Sequence, residues 1–166
     1  MVAAAVVLDP RKIPDGLNDS KALSAVRRAA LFEVINTTAA VGVGIVEVAE
    51  IDRINILQAT FVAMTRAVDA LDPDHVLVDG NHAPRWHYAT TTVVGGDARS
   101  LSIAAASIIA KVTRDRIMLA LADAFPGYGW EANMGYGTAA HAAALDRLGV
   151  TIHHRRSYAP IARRLT

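Results

Sequence analysis

The chain has 166 residues, 52% hydrophobic and 20% charged, with a formal net charge of +1. That length and composition fit one soluble domain with a real core and exclude disorder, while near-zero charge excludes a bulk attraction to nucleic acid and leaves only local patches. The absence of cysteine excludes disulfides and thiolate metal sites and is compatible with a cytoplasmic location.

The opening "MVAAAVVL" has no basic n-region and runs straight into Asp9-Pro10. It reads as a buried strand, Val2 to Leu8, and not as a signal peptide. Nothing in the chain approaches the roughly 18 apolar residues of a membrane span. "DPRKIPDGLNDSKAL" is turn-rich, and Ser24 then caps a helix reaching about Thr38. "AVGVGIVEV" is β-branched and dotted with glycine, a strand from Ala39 or Val41 to Val48. Ile51, Ile54, Leu57, Phe61, Met64, Val68 and Leu71 recur at helical spacing, and Pro73 lies past their end. Val76 to Val78 is a short strand, so a β-α-β unit forms that favours parallel pairing of its two strands. "ATTTVVGGD" is another strand, ending near Val94. A long helix follows from Ser100 to about Phe125, and "PGYG" stops it. Its Ala- and Ser-rich first half suits close packing on a sheet. Thr138 caps a last helix, and Gly149 ends it. This order predicts a single α/β domain over residues 1–166.

Asp79 and Asp97 each follow a predicted strand. Ligands of open α/β sheets sit beyond the carboxyl ends of strands. Two carboxylates converging there repel unless a cation lies between them, and hard oxygens suit Mg²⁺ or Mn²⁺. The plain alternative is two solvated turn residues, because Asp-Gly and Gly-Asp are common turn pairs. A charge on Asp79, straight after a buried strand, would be costly unless paired. The short connection between the two strands leaves their convergence undecided.

"GLNDSKALS" could hold a phosphate through Asn18, Ser20 and Lys21, or be a polar turn before a helix cap. In "NMGYGT" the two glycines should expose Tyr136, whose ring could stack on a base or sugar, or could pack over the turn. "HHRRSYAPIARR" is the one basic cluster, headed by Arg155 and Arg156, and could track a nucleic-acid backbone or be a solvated tail. "VGVG" fits a dinucleotide fingerprint poorly, lacking the third glycine and a following helix. His82 and His87 read as surface residues.

These stretches together resemble bacterial ribonuclease HII. "VAAAVVLD", "GLNDSKALS", "EIDRINILQATFVAM", "VLVDGN", "GGDARSLSIAAASIIAKVTRDR", "FPGYGW", "MGYGT" and "HHRRSY" stand in that family's order and spacing. The resemblance implies an RNase H-like fold, a mixed β-sheet flanked by helices. It implies cleavage of the RNA strand of RNA–DNA hybrids and of single ribonucleotides embedded in duplex DNA. Four carboxylates of the family hold two divalent ions, Mg²⁺ or Mn²⁺. Asp79 looks like the third of these and Asp97 like the fourth. Tyr136 looks like the tyrosine set against the ribose at the junction. Asn18 and Lys21 resemble the phosphate-contacting loop. A monomer is expected.

The chain departs from the family in three places. The family's first, central strand carries an Asp-Glu pair and then Gly-Arg-Gly, which supply two metal ligands and read the 2′-OH. Neither motif occurs in this chain, and both would precede Met1. Gly95-Gly96-Asp97 stands for Lys-Gly-Asp, and Asn133-Met134 for His-Lys. The expectation is a reading frame that starts late, at an internal valine codon, and a chain with little activity of its own. Two rival readings are an inactive nucleic-acid-binding remnant of the same fold and a small-molecule α/β enzyme using "VGVG".

Overall fold

The computed structural model describes residues 1–165, so the expected domain end at Thr166 lies outside the described residues. Strand β1 (Val2–Leu8) pairs antiparallel with β2 (Ala39–Ile45), from Val2 opposite Ile45 to Leu8 opposite Ala39. Helix α1 (Ala25–Thr38) joins them and is capped by Ser24, whose Oγ accepts from Arg27 N at 3.2 Å.

Helix α2 (Val48–Asp69) lies directly on β2. The reason is legible in side-chain size. Ala59, Ala63 and Ala67 form a fully buried helical stripe. A Cβ at Gly42 would stand 2.0 Å from Ala67 O, and one at Gly44 would stand 1.9 Å from Ala63 O. The "VGVG" repeat is therefore a packing device that lets helix backbone touch strand backbone. The helix is also not continuous. Asn55 has φ 68° and ψ 168° inside it, and its Oδ1 accepts from Leu57 N and Gln58 N at 3.0 and 3.1 Å. Asn55 thus caps the second segment, which the unbroken apolar periodicity did not reveal.

Strand β3 (His75–Asp79) pairs in parallel with β4 (Ala89–Val93), from His75 opposite Ala89 to Asp79 opposite Val93. This corrects the expected pairing of β2 with β3. Strand β1, and not β3, pairs with β2, antiparallel and along its whole length. The parallel β3–β4 connection is short and contains no helix. Trp86 and Tyr88 pin it, Trp86 Nε1 donating to Thr90 Oγ1 at 2.7 Å and Tyr88 OH to Asp69 Oδ1 at 3.0 Å.

Two two-stranded ladders result, where one mixed sheet was expected. Both β1 and β3 line one groove of about 470 Å³, floored by Met64 and Val68 of α2 and by Ile103 and Ala106 of the next long helix. That helix, α3 (Leu101–Ala124), packs Ala105, Ile108, Ile109 and Val112 against Val6, Leu31 and Ile35 to form the main core. A second cluster gathers Tyr128 and Trp130 of the turn and short helix α4 (Trp130–Asn133), Ala144 and Leu145 of α5 (Ala139–Leu148), and Ile161. Thr138 caps α5 and Gly149, at φ 80°, ends it as expected. A further short helix, α6 (Ala159–Ala162), follows where the sequence reading placed none.

Candidate functional site

The parallel register decides where the two carboxylates go. Asp79 ends β3, and the chain leaving β4 turns back over it. Gly80 N donates to Val93 O at 2.9 Å. Gly95 then takes φ 63°, a left-handed conformation that glycine adopts without strain. Gly96 N, the amide just before Asp97, donates to Asp79 Oδ1 at 2.9 Å. A Cβ on Gly96 would stand 2.5 Å from Ile103 Cδ1 and 3.3 Å from Asp79 Oδ1. The Gly-Gly pair therefore lets Asp97 arrive one residue from the Asp79 carboxylate. A 3₁₀ turn (Gly96–Ala98) carries Asp97, and Ser100 then starts α3.

Asp79 is exposed and Asp97 half-exposed, so solvent and the Gly96 amide offset the charge of Asp79. The expectation of a buried, costly carboxylate is corrected on that point. Mg²⁺ sites commonly take one or two carboxylates and complete the shell with water and substrate phosphates. Asp79 and Asp97 fit that share of a site. Among the described residues, no group of three or more His, Cys, Asp or Glu side chains gathers as a metal cluster.

Other sequence candidates fall around this pair unevenly. Asn18 is exposed and shares a cleft of about 120 Å³ with Asp97, Arg99 and Ser100. Lys21 is exposed, with its backbone N–H donating to Asp19 Oδ1 at 2.9 Å. Ser20 is buried, and its carbonyl accepts from Arg28 Nη1 at 2.7 Å. Its backbone braces the loop from beneath.

Tyr136 is 62% exposed, as the flanking glycines implied. The sequence reading missed its partner: Arg114 of α3 sits 5.2 Å from the ring centroid. Helical spacing alone carries no signal for a contact between a helix and a glycine turn beyond it. Arg155 is half-buried over the Tyr158 ring at 5.0 Å, and Arg156 is exposed. Burial lowers the pKa of the Met1 amine; the Glu47 carboxylate opposes this, and the charges of Arg114 and Arg155 reinforce it.

A family model described as Ribonuclease HII matches residues 1–161. The chain belongs to the ribonuclease HII family. The ribonuclease HII of Jannaschia sp. (strain CCS1) is 60% identical over 166 residues, covering 98% of this chain and 83% of that relative. That of Sphingopyxis alaskensis is 59% identical, covering 98% and 82%. Among solved structures, a chain of the PCNA:RNase HII complex from Archaeoglobus fulgidus superposes with a TM-score of 0.79 at 23% identity, covering 95% of this chain and 86% of that one. The ribonuclease H2 of Pyrococcus horikoshii OT3 gives a TM-score of 0.74 at 22% identity, covering 98% and 96%. These likenesses establish the ribonuclease HII fold, and membership places the chain in a family of hydrolytic endonucleases. No helix among the described residues is long and apolar enough to cross a membrane.

Proposed function

We propose that this ribonuclease HII chain acts on the RNA strand of RNA–DNA hybrids and on the 5′ side of ribonucleotides embedded in duplex DNA. Asp79 and Asp97 are its ligands for Mg²⁺ or Mn²⁺. The observation that supports this reading is the Gly96 N–H to Asp79 Oδ1 hydrogen bond, which brings the backbone just before Asp97 onto the Asp79 carboxylate at the end of a parallel pair. Bound divalent ions supply an activated water and stabilise the leaving oxygen. The protein's own contribution is positional. Gly96 orients Asp79 in advance. Tyr136 offers its ring to the ribose at the junction, with Arg114 behind it. Asn18 and Lys21 take phosphate oxygens, Ser20 shapes their loop, and Arg155 and Arg156 follow the backbone. We place the protein in the cytoplasm as a monomer.

A labelled DNA duplex carrying one ribonucleotide tests this. With Mg²⁺ or Mn²⁺ the expected product is a nick 5′ of the ribonucleotide, leaving a 3′-hydroxyl and a 5′-phosphate. Two carboxylates hold a water-rich site, so the 166-residue chain is expected to cleave slowly. A form extended upstream by an Asp-Glu pair is expected to cleave fast. Fast cleavage by the 166-residue chain alone would falsify the ligand account. Failure of both forms to cut or bind the duplex overturns the reading.

A further inference from the structure

One carboxylate outside the candidate metal site makes an unusual set of contacts. Asp52 lies in the first segment of α2. Its Oδ2 accepts from Arg156 N at 2.9 Å, and its Oδ1 accepts from Ser157 N at 2.9 Å and from Ser157 Oγ at 2.6 Å. Three donors from one short loop, about a hundred residues downstream, converge on a single side chain. Hydrogen bonds to an ionised acceptor are roughly twice as strong as neutral ones. Burial raises the Asp52 pKa, but the Ser157 side chain and backbone, the Arg156 backbone and the Arg155 charge outweigh it, and the net shift is downward. The loop it grips carries the exposed Arg156 and the half-buried Arg155.

Residues Arg156 to Tyr158 have no strand to hold them. Tyr158 N donates to Arg155 O at 3.1 Å, Arg155 lies over the Tyr158 ring at 5.0 Å, and the short helix α6 begins after Tyr158. His154, next to Arg155, packs on the Trp130 and His141 rings at 5.1 and 5.3 Å, and Arg114 sits on Tyr136. The loop is thereby tied to the α4–α5 segment that carries the exposed tyrosine. A guanidinium can match a phosphate only if its backbone is held in place, because the long side chain otherwise spends its interaction energy on ordering.

We propose that Asp52 is a positioning residue for nucleic-acid binding: its carboxylate clamps the Arg155–Ser157 loop so that Arg155 and Arg156 meet the sugar-phosphate backbone. This rests on the proposed function, which supplies the duplex. The clamp makes a prediction whose sign is opposite to that of simple electrostatics. Deleting a negative charge beside a bound polyanion would tighten binding on Coulomb grounds. Loosening the loop weakens it instead.

The experiment is fluorescence anisotropy of a labelled RNA–DNA hybrid in EDTA over a salt series, using the full chain. Asp52→Asn cannot accept from both amides and the hydroxyl. It is expected to weaken binding about fivefold and to lower the salt slope by about 1, the signature of one lost phosphate contact. Ser157→Ala keeps the Asp52 charge and loses only the hydroxyl bond, so it gives a smaller loss in the same direction. Thermal unfolding of each variant confirms that binding is measured on folded protein, and a loss of stability alone leaves the salt slope unchanged. Should Asp52→Asn disrupt folding, Ser157→Ala carries the test. Tighter or unchanged binding by folded Asp52→Asn, or by Ser157→Ala where that carries the test, overturns the clamp, provided that the Arg155→Ala, Arg156→Ala double variant binds more weakly than wild type. If the double variant binds as wild type does, the loop is not the interface and the clamp falls with it. If wild type does not bind the hybrid, the proposed function itself fails.

Discussion

Asp79 shows how one backbone amide prepares a site. Gly96 N–H holds Oδ1 and leaves the rest of the carboxylate facing solvent. Asp79→Asn keeps that acceptor but removes the charge a hard cation needs. Mn²⁺ binding followed by its EPR signal is expected to weaken at least tenfold, roughly the effect of losing one of two ionic ligands. Binding of the hybrid duplex in EDTA is expected to stay within about twofold, because phosphate contacts dominate affinity. A large loss of duplex binding would show that Asp79 has a structural role in the interface. Tyr136 supplies the complementary case. Replacing it with Ala removes a stacking surface worth about 1–3 kcal/mol per base, while Phe keeps the ring and the Arg114 contact. Anisotropy is expected to separate the two variants by at least fivefold, and equal affinities would rule out stacking.

Element packing makes its own demands, and the β2–α2 contact is the most exacting. Gly44→Ala would put a methyl 1.9 Å from Ala63 O, on backbone that cannot rotate away. Overpacking typically costs about 1–3 kcal/mol and more where backbone must shift. Urea unfolding is expected to show a loss at the upper end of that range, and a loss under 0.5 kcal/mol would mean that α2 moves freely. The C-terminal elements carry a different sensitivity. His154 is buried, tilted against the Trp130 ring at 5.1 Å and stacked on His141 at 5.3 Å. Burial, with the neighbouring His141, pushes its pKa down from 6.5 to about 4. The folded state therefore resists a proton that the unfolded state accepts. Stability is full above about 6.5 and falls as pH drops toward about 4. The loss reaches up to about 3 kcal/mol at 1.36 kcal/mol per unit. Urea midpoints at pH 7, 5.5 and 4.5 check it, and a flat profile after correction for the carboxylates would refute it.

Across the whole molecule, the groove between the two ladders dominates. Its walls are β1 and β3, each paired on one side only among the described residues. Its floor is apolar, with Met64, Val68 and Ile103. Unpaired strand edges beside apolar side chains recruit other chains and apolar probes. The folded 166-residue chain, a monomer when dilute, is expected to enhance ANS fluorescence and to self-associate only as concentration rises. Sedimentation velocity and dye titration measure both. A monodisperse monomer without dye binding would mean that the groove closes in solution.

Sequence alone determined the elements whose causes are local. Ser24 and Thr138 cap their helices, Gly149 ends one, and the flanks of Tyr136 expose it, because each effect acts within a few residues. The eight family stretches likewise carried the ribonuclease HII assignment, since order and spacing along the chain are sequence properties. Tertiary structure decided the rest. Asn55 breaks a helix that hydrophobic period alone shows as continuous, since the period survives the kink. Gly42 and Gly44 read as part of a strand, but why glycine stands there is seen only with Ala63 and Ala67 against them. The parallel β3–β4 register, the Gly96–Asp79 hydrogen bond, the Arg114–Tyr136 stack and the Asp52 hydrogen bonds to Arg156 and Ser157 all join residues distant in the chain. Such contacts depend on which surfaces the packed core brings face to face, and no short window of sequence contains that information.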